Sequence, residues 1–176
     1  MAYIPLPGWD DMDPAVREPL EAAKAKTGEP GEIAFLVARH RPVFEVTMHL
    51  VRSLLLEQTL LPYAVKERIA LLVSMHNSCD MCVGEHTRIA RMLGMSEAQV
   101  QDALGGLEAM DVSEAERTLL AFALRAASAD SHRIAQSDVE QVKAAGYGDD
   151  EVLEAVAVAG YFNYINTISN ALGAGK

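Results

Sequence analysis

Cysteine is scarce in this 176-residue chain, which holds two. Two thiols cannot staple a disulfide scaffold across that length, so the fold must rest on a hydrophobic core. An excess of basic residues is missing as well: 15 Lys and Arg stand against 25 Asp and Glu, a formal charge of −10 at pH 7. Nucleic acid and acidic lipid bind through clustered Lys and Arg, so this balance disfavours both and leaves small molecules or proteins as partners. No apolar run approaches the ~20 residues that cross a bilayer; the longest, AVAVAGYF, ends at Phe162. The opening MAYIPLPGWDDMDP lacks the basic region and apolar core of a signal peptide, and with the sparse cysteines this predicts a cytoplasmic protein. Strand-like alternation is rare, which argues against a thioredoxin-like fold, whose strands would have to flank a CxxC pair.

What is present is 50% hydrophobic and 23% charged sequence, the make-up of one globular domain over residues 1–176. Pro5, Pro7 and Gly8 make residues 1–12 an extended arm, and Asp13-Pro14 then supplies an N-cap and a favoured first helical residue. A helix to about Thr27 follows. Ile33, Leu36 and Val37 share one helical face, and Val43, Thr47, Leu50 and Leu54 continue that spacing after Pro42. A helix from about Tyr63 to His76, a break at Asn77-Ser78 and a helix from about Cys79 to Met92 form a hairpin over 63–93, with Gly94 as its stop. Ser96 with Gln99, Ser113 with Glu116 and Ser137 with Glu140 read as capping boxes. The chain is therefore expected to be all-α, a single compact multi-helix domain. LGMSEAQVQDAL at 93–104 resembles AGYGDDEVLEAV at 145–156, and Glu67-Arg68 echoes Glu116-Arg117. Two related helical hairpins or a chance likeness of amphipathic helices would each explain this.

Both cysteines fall in one segment, Cys79 and Cys82, with His86 one turn beyond. At 100° per residue the three lie within an arc of about 60°, shared with Ile89, Ala90 and Leu93. Asp80, Glu85, Arg88 and Arg91 point elsewhere on this reckoning, so a carboxylate reaching the site must come from another element, and Glu67 on the preceding helix is the candidate. His86 is an i,i+4 neighbour of Cys82, about 6 Å along the axis, and can accept its proton and hold the thiolate. Cys79, at the helix start and about 4.5 Å in rise from Cys82, suits disulfide closure. An oxidant would convert Cys82 to a sulfenic acid and Cys79 would displace water from it.

These residues resemble the alkyl hydroperoxide reductase D-like (AhpD-like) proteins of the carboxymuconolactone decarboxylase superfamily. The match rests on Glu67, then Cys79, Cys82 and His86 within NSCDMCVGEH, followed by RMLG, and covers roughly residues 60–104. The resemblance implies an AhpD-like helical fold and a thiol peroxidase or disulfide reductase, with no metal or flavin cofactor. In it Cys82 attacks a hydroperoxide, Cys79 resolves, and Glu67 with His86 relays protons. It also implies a dithiol reductant, a lipoyl-bearing protein for the best-known relative, and a homo-oligomer, trimer or hexamer. Met81 stands where that relative has a histidine. The family's lactone decarboxylases lack the cysteine pair.

Other readings of the same residues are a non-enzymatic redox sensor, a zinc site completed by His86 and Glu67, and two buried structural thiols. His40 and His76 follow apolar residues on their helix faces and read as core or interface histidines, while His49 and His132 read as exposed. Asn163, Asn166 and Asn170 form a polar stripe on the last helix that reads as hydrogen bonding between helices or subunits. Tyr161 and Tyr164 are expected in packing or at a pocket border.

Overall fold

A computed structural model describes residues 2–176, the side chains of 26 and 27 excepted. Nine α-helices and no strand occur among the described residues: α1 Pro14–Thr27, α2 Glu32–Ala38, α3 Arg41–Leu50, α4 Tyr63–His76, α5 Asp80–Met92, α6 Glu97–Leu104, α7 Glu114–Ala127, α8 Gln136–Ala144 and α9 Asp149–Leu172. A π-helical segment, Val51–Leu56, continues α3. No helix among the described residues is long and apolar enough to cross a membrane.

The centre of the fold is α4, buried without a break from Val65 to Ser74 and packed on α5, α6, α7 and α9. Burial of that kind needs an apolar helix, and Ile69 to Val73 supply one. Yet Lys66, Glu67 and Arg68 are buried too. Successive residues step 100° around the axis, so three adjacent charges face three different neighbours, and each finds an opposite partner. Lys66 meets Glu154 of α9 at 3.0 Å, Glu67 meets His86 of α5 at 2.8 Å, and Arg68 meets Glu116 of α7 at 2.6 Å. One turn of α4 thereby fixes the register of three helices around it.

The helix starts follow their caps with two differences from expectation. Asp13 accepts from Ala15 N–H, and Ser96 and Gln99 form the full reciprocal box. Ser113 caps Glu116 N–H, but the Glu116 carboxylate turns to Arg68 instead of reaching back. Ser137 is not a cap: α8 begins a residue earlier, and the Asp138 carboxylate accepts from Ala135 N–H at 2.7 Å. Asp138 also takes Arg125 of α7, and that tertiary contact selects it over the serine beside it.

The two similar stretches share their local geometry. Gly94 and Gly146 both have positive φ, +92° and +112°, and both precede a helix whose third residue reaches back to the N-cap N–H, Gln99 to Ser96 and Glu151 to Gly148. Val100 and Val152, then Ala103 and Ala155, are the matching buried positions. The connection between α7 and α8 is longer than that between α4 and α5 and holds a short helical turn, Ser131–Arg133.

The chain ends meet on α2. The Glu32 carboxylate accepts from Ala2 N–H and from Gly175 N–H, each at 2.9 Å. Tyr3 N–H donates to Leu172, and the Tyr3 ring lies so close to Gly173 that a Cβ there would come within 2.7 Å of it. Gly175 in turn sits against Met81.

Candidate active site

The turn from α4 into α5 places the sulfurs. Helix α4 ends in a Schellman arrangement, with Cys79 N–H donating to Ser74 and Ser78 N–H to Met75. Ser78 occupies the left-handed position, φ +52°, that glycine usually takes. Asn77 anchors the turn to α9: its side-chain amide donates to Asn163 and Asn166, and Asn170 donates to its carbonyl at 2.7 Å. Asn163 also donates to Ala127 and Asn166 to Ser74. The stripe of asparagines thus bonds between helices within one chain.

Cys79 is the N-cap of α5 and Cys82 the third helical residue; the two are joined in a disulfide with their Cα atoms 5.3 Å apart. Cys82, rather than Cys79, therefore lies inside the first turn, where unpaired N–H groups favour a thiolate once the bridge is opened. Glu67 and His86 meet through Oε2 and Nδ1. An ionised carboxylate only accepts, so Nδ1 is the nitrogen that donates to it, and in the neutral imidazole Nε2 is the one with the lone pair. The Phe162 ring, fully buried, holds the imidazole edge-to-face at 4.7 Å between centroids. Sequence reasoning missed Phe162, which nothing distinguishes from the apolar residues around it.

Cys82, His86 and Met81 border a cavity of about 120 Å³. Its apolar walls come from α2 with Ile33 and Val37, from Met48 and Val51, and from Tyr161 and Ile165 of α9. Burial pushes the Tyr161 phenol well above its usual range. Tyr164 lies behind that wall, 2.9 Å from the Thr47 hydroxyl. Glu85 lines the cavity as well, contrary to the expectation that it points away. It lies about 60° from Cys82 on the flank opposite His86, and α2 closes over that flank at Gly31. Arg88 holds Glu85 at 2.6 Å, and that hydrogen bond raises the Arg88 pKa further.

Three further expectations are corrected. Leu93 is 46% exposed, because α5 ends at Met92 and the Gly94 turn carries it outward. His40 and His76 are not core histidines: both are exposed in the single chain, since His40 lies between α2 and α3 and His76 is the last residue of α4, which leaves them the interface reading. His49 and His132 are exposed as expected. Among the described residues no group of three or more His, Cys, Asp or Glu side chains is arranged to hold a metal ion. Larger hollows lie elsewhere, one of about 290 Å³ between α7 and α8. Its arginines are committed, Arg117 to the carbonyls of Leu107 and Met110 and Arg125 to Asp138, and its lining holds no cysteine, serine or histidine.

The all-helical bundle that carries these groups has the fold of AhpD-like proteins. Residues 41–125 match the model of the carboxymuconolactone decarboxylase family. That match spans just under half of the chain, and the likeness to solved AhpD-like structures is one of fold. It is similar to an alkylhydroperoxidase AhpD core, a peroxidase-related protein from Ralstonia eutropha, with a TM-score of 0.91 and 21% identity over 98% of this chain and 90% of that one. A peroxidase-related protein from Silicibacter sp. gives 0.90 and 22% over 98% and 90%. The debrominase Bmp8, solved with 2,3,4-tribromopyrrole, gives 0.79 and 18% over 98% and 89%. No curated protein is significantly similar to the chain.

Proposed function

We propose that the protein is a thiol-dependent peroxidase that reduces hydroperoxides through a Cys79–Cys82 dithiol–disulfide cycle. The observation that carries this reading is the Glu67–His86 bond standing on the same cavity as Cys82. In the reduced protein His86 Nε2 takes the Cys82 proton, and the thiolate attacks the terminal oxygen of R–O–OH. The O–O bond breaks with its electron pair on RO⁻, which leaves as the alcohol with the proton held on His86. Cys82 is left as S–OH. The Cys79 sulfur attacks it, the S–S bond forms, and hydroxide leaves as water with the Cys79 proton. An external dithiol, such as a lipoyl group on a partner protein, returns two electrons and opens the bridge.

A cytoplasmic setting, where dithiol systems keep thiols reduced, suits such a cycle. A homo-oligomer, trimer or hexamer, belongs to the same proposal, with exposed Val46, Leu56, Leu60 and Leu153 among the apolar side chains that its copies would cover. Likeness to a debrominase shows that the same fold serves other chemistry, so the test is turnover itself. Steady-state reduction of an organic hydroperoxide with excess dithiol is expected for the parent and lost in Cys82→Ser. Consumption of a single equivalent per chain would instead leave a redox sensor.

A further inference from the structure

We infer that the cavity beside Cys82 receives a compact, uncharged, apolar group of about six to eight heavy atoms, and that Glu85 turns away anionic molecules at its wall. The inference rests on Cys82 being the reacting thiol, and it makes the substrate a neutral short-chain or single-ring hydroperoxide. Volume sets the size. The cavity holds about 120 Å³, whereas an apolar cavity of about 150 Å³ takes up benzene. One six-membered ring or a short branched chain fills it, and a fatty-acyl chain does not.

Wall chemistry sets the polarity. Ile33, Val37, Met48, Val51 and Ile165 offer no hydrogen bond to a guest. Thr47 also lines the cavity, but its hydroxyl is occupied by the Val43 carbonyl and Tyr164. Tyr161 and the anionic Glu85 are the other polar side chains of the wall, so a neutral polar head is accommodated at the end bounded by Cys82, His86 and Tyr161, where a hydroperoxide would place its oxygens. Charge sets the exclusion. The Glu85 side chain, 31% exposed, lines the cavity, whereas its partner Arg88 does not. An incoming carboxylate thus meets a like charge on a chain already carrying −10.

Binding is measurable apart from turnover with redox-inert probes on the oxidised protein. Benzyl alcohol, benzoate and 1-decanol are titrated while the methyl resonances of Ile33, Val37 and Ile165 are followed. Benzyl alcohol is expected to shift these methyls saturably, with benzoate at least tenfold weaker and decanol without effect on them. In Glu85→Gln the ratio between benzyl alcohol and benzoate should fall at least threefold, and in Ile165→Ala decanol should begin to shift the remaining methyls. Equal binding of benzoate and benzyl alcohol, or decanol shifts in the parent, would overturn the assignment. If the binding pattern holds and no hydroperoxide is turned over, the ligand class stands and the peroxidase reading falls.

Discussion

His86 Nδ1 lies 2.8 Å from Glu67 Oε2, a contact between the second turn of α5 and the interior of α4 that, in the proposed relay, leaves Nε2 as the base. Replacing the carboxylate by an amide, Glu67→Gln, allows the side-chain NH₂ to donate to Nδ1 and moves the ring proton to Nε2. Turnover is expected to fall by about 10²–10⁴-fold, the usual worth of a positioned base. Alkylation of reduced Cys82 by iodoacetamide should slow in parallel. Unchanged alkylation and turnover would remove Glu67 from the relay.

Asn166 accepts from Asn77 and donates to Ser74 in a site that is 1% exposed. Asn166→Ala leaves the buried Ser74 hydroxyl without its partner and the Asn77 amide with Asn163 alone, which should cost about 1–3 kcal/mol. Urea unfolding measures it as a lower midpoint with an unchanged slope.

The Lys66–Glu154 pair gives a pH signature. Burial acts to raise the Glu154 pKa, but hydrogen bonds from Thr59 and Lys66 outweigh it and hold the carboxyl below its ordinary value. A carboxylate with a lowered folded pKa adds stability that is complete above the unfolded value, about 4.3, and disappears as pH falls through the folded one. Glu154→Gln should therefore cost about 3–5 kcal/mol near neutrality, because Lys66 is left charged and buried. The same variant should flatten the loss of stability below about pH 4.3. An acid limb as steep as the parent's would show that other carboxylates govern it.

Two backbone positions carry opposite expectations. Ser78, at φ +52°, pays for a conformation that glycine adopts freely, so Ser78→Gly should raise stability by about 0.5–1 kcal/mol. Gly173, at φ +71°, has the Tyr3 ring where a Cβ would go, so Gly173→Ala should lower it by about 1–2 kcal/mol. Thermal melts of the two variants on either side of the parent check both signs.

How far the sequence foretells these features depends on the range of the interactions. Spacing within α5 and the short turn after α4 are local, so Cys82, His86 and Glu67 were legible as a set. Helix α4 itself was read to its terminal residues, with the Asn77-Ser78 break as its local stop. Lys66 and Arg68 were not read, since a charge on an isolated helix belongs in solvent, and their partners Glu154 and Glu116 lie on helices far along the chain. Glu85 was misplaced for the same reason: its flank becomes a cavity wall only when α2 closes over it. Ser137 was read as a cap, whereas Asp138, held by Arg125 from α7, is the residue that reaches back to Ala135 N–H.

Asn77 is tethered through both its amide nitrogen and its carbonyl to the longest helix of the molecule. The scaffold beneath the sulfurs behaves as an anvil rather than a hinge. In the proposed cycle the bond between Cys79 and Cys82 would open and close on it while the neighbouring backbone stays put, so little reorganisation energy would accompany each electron pair that passes through.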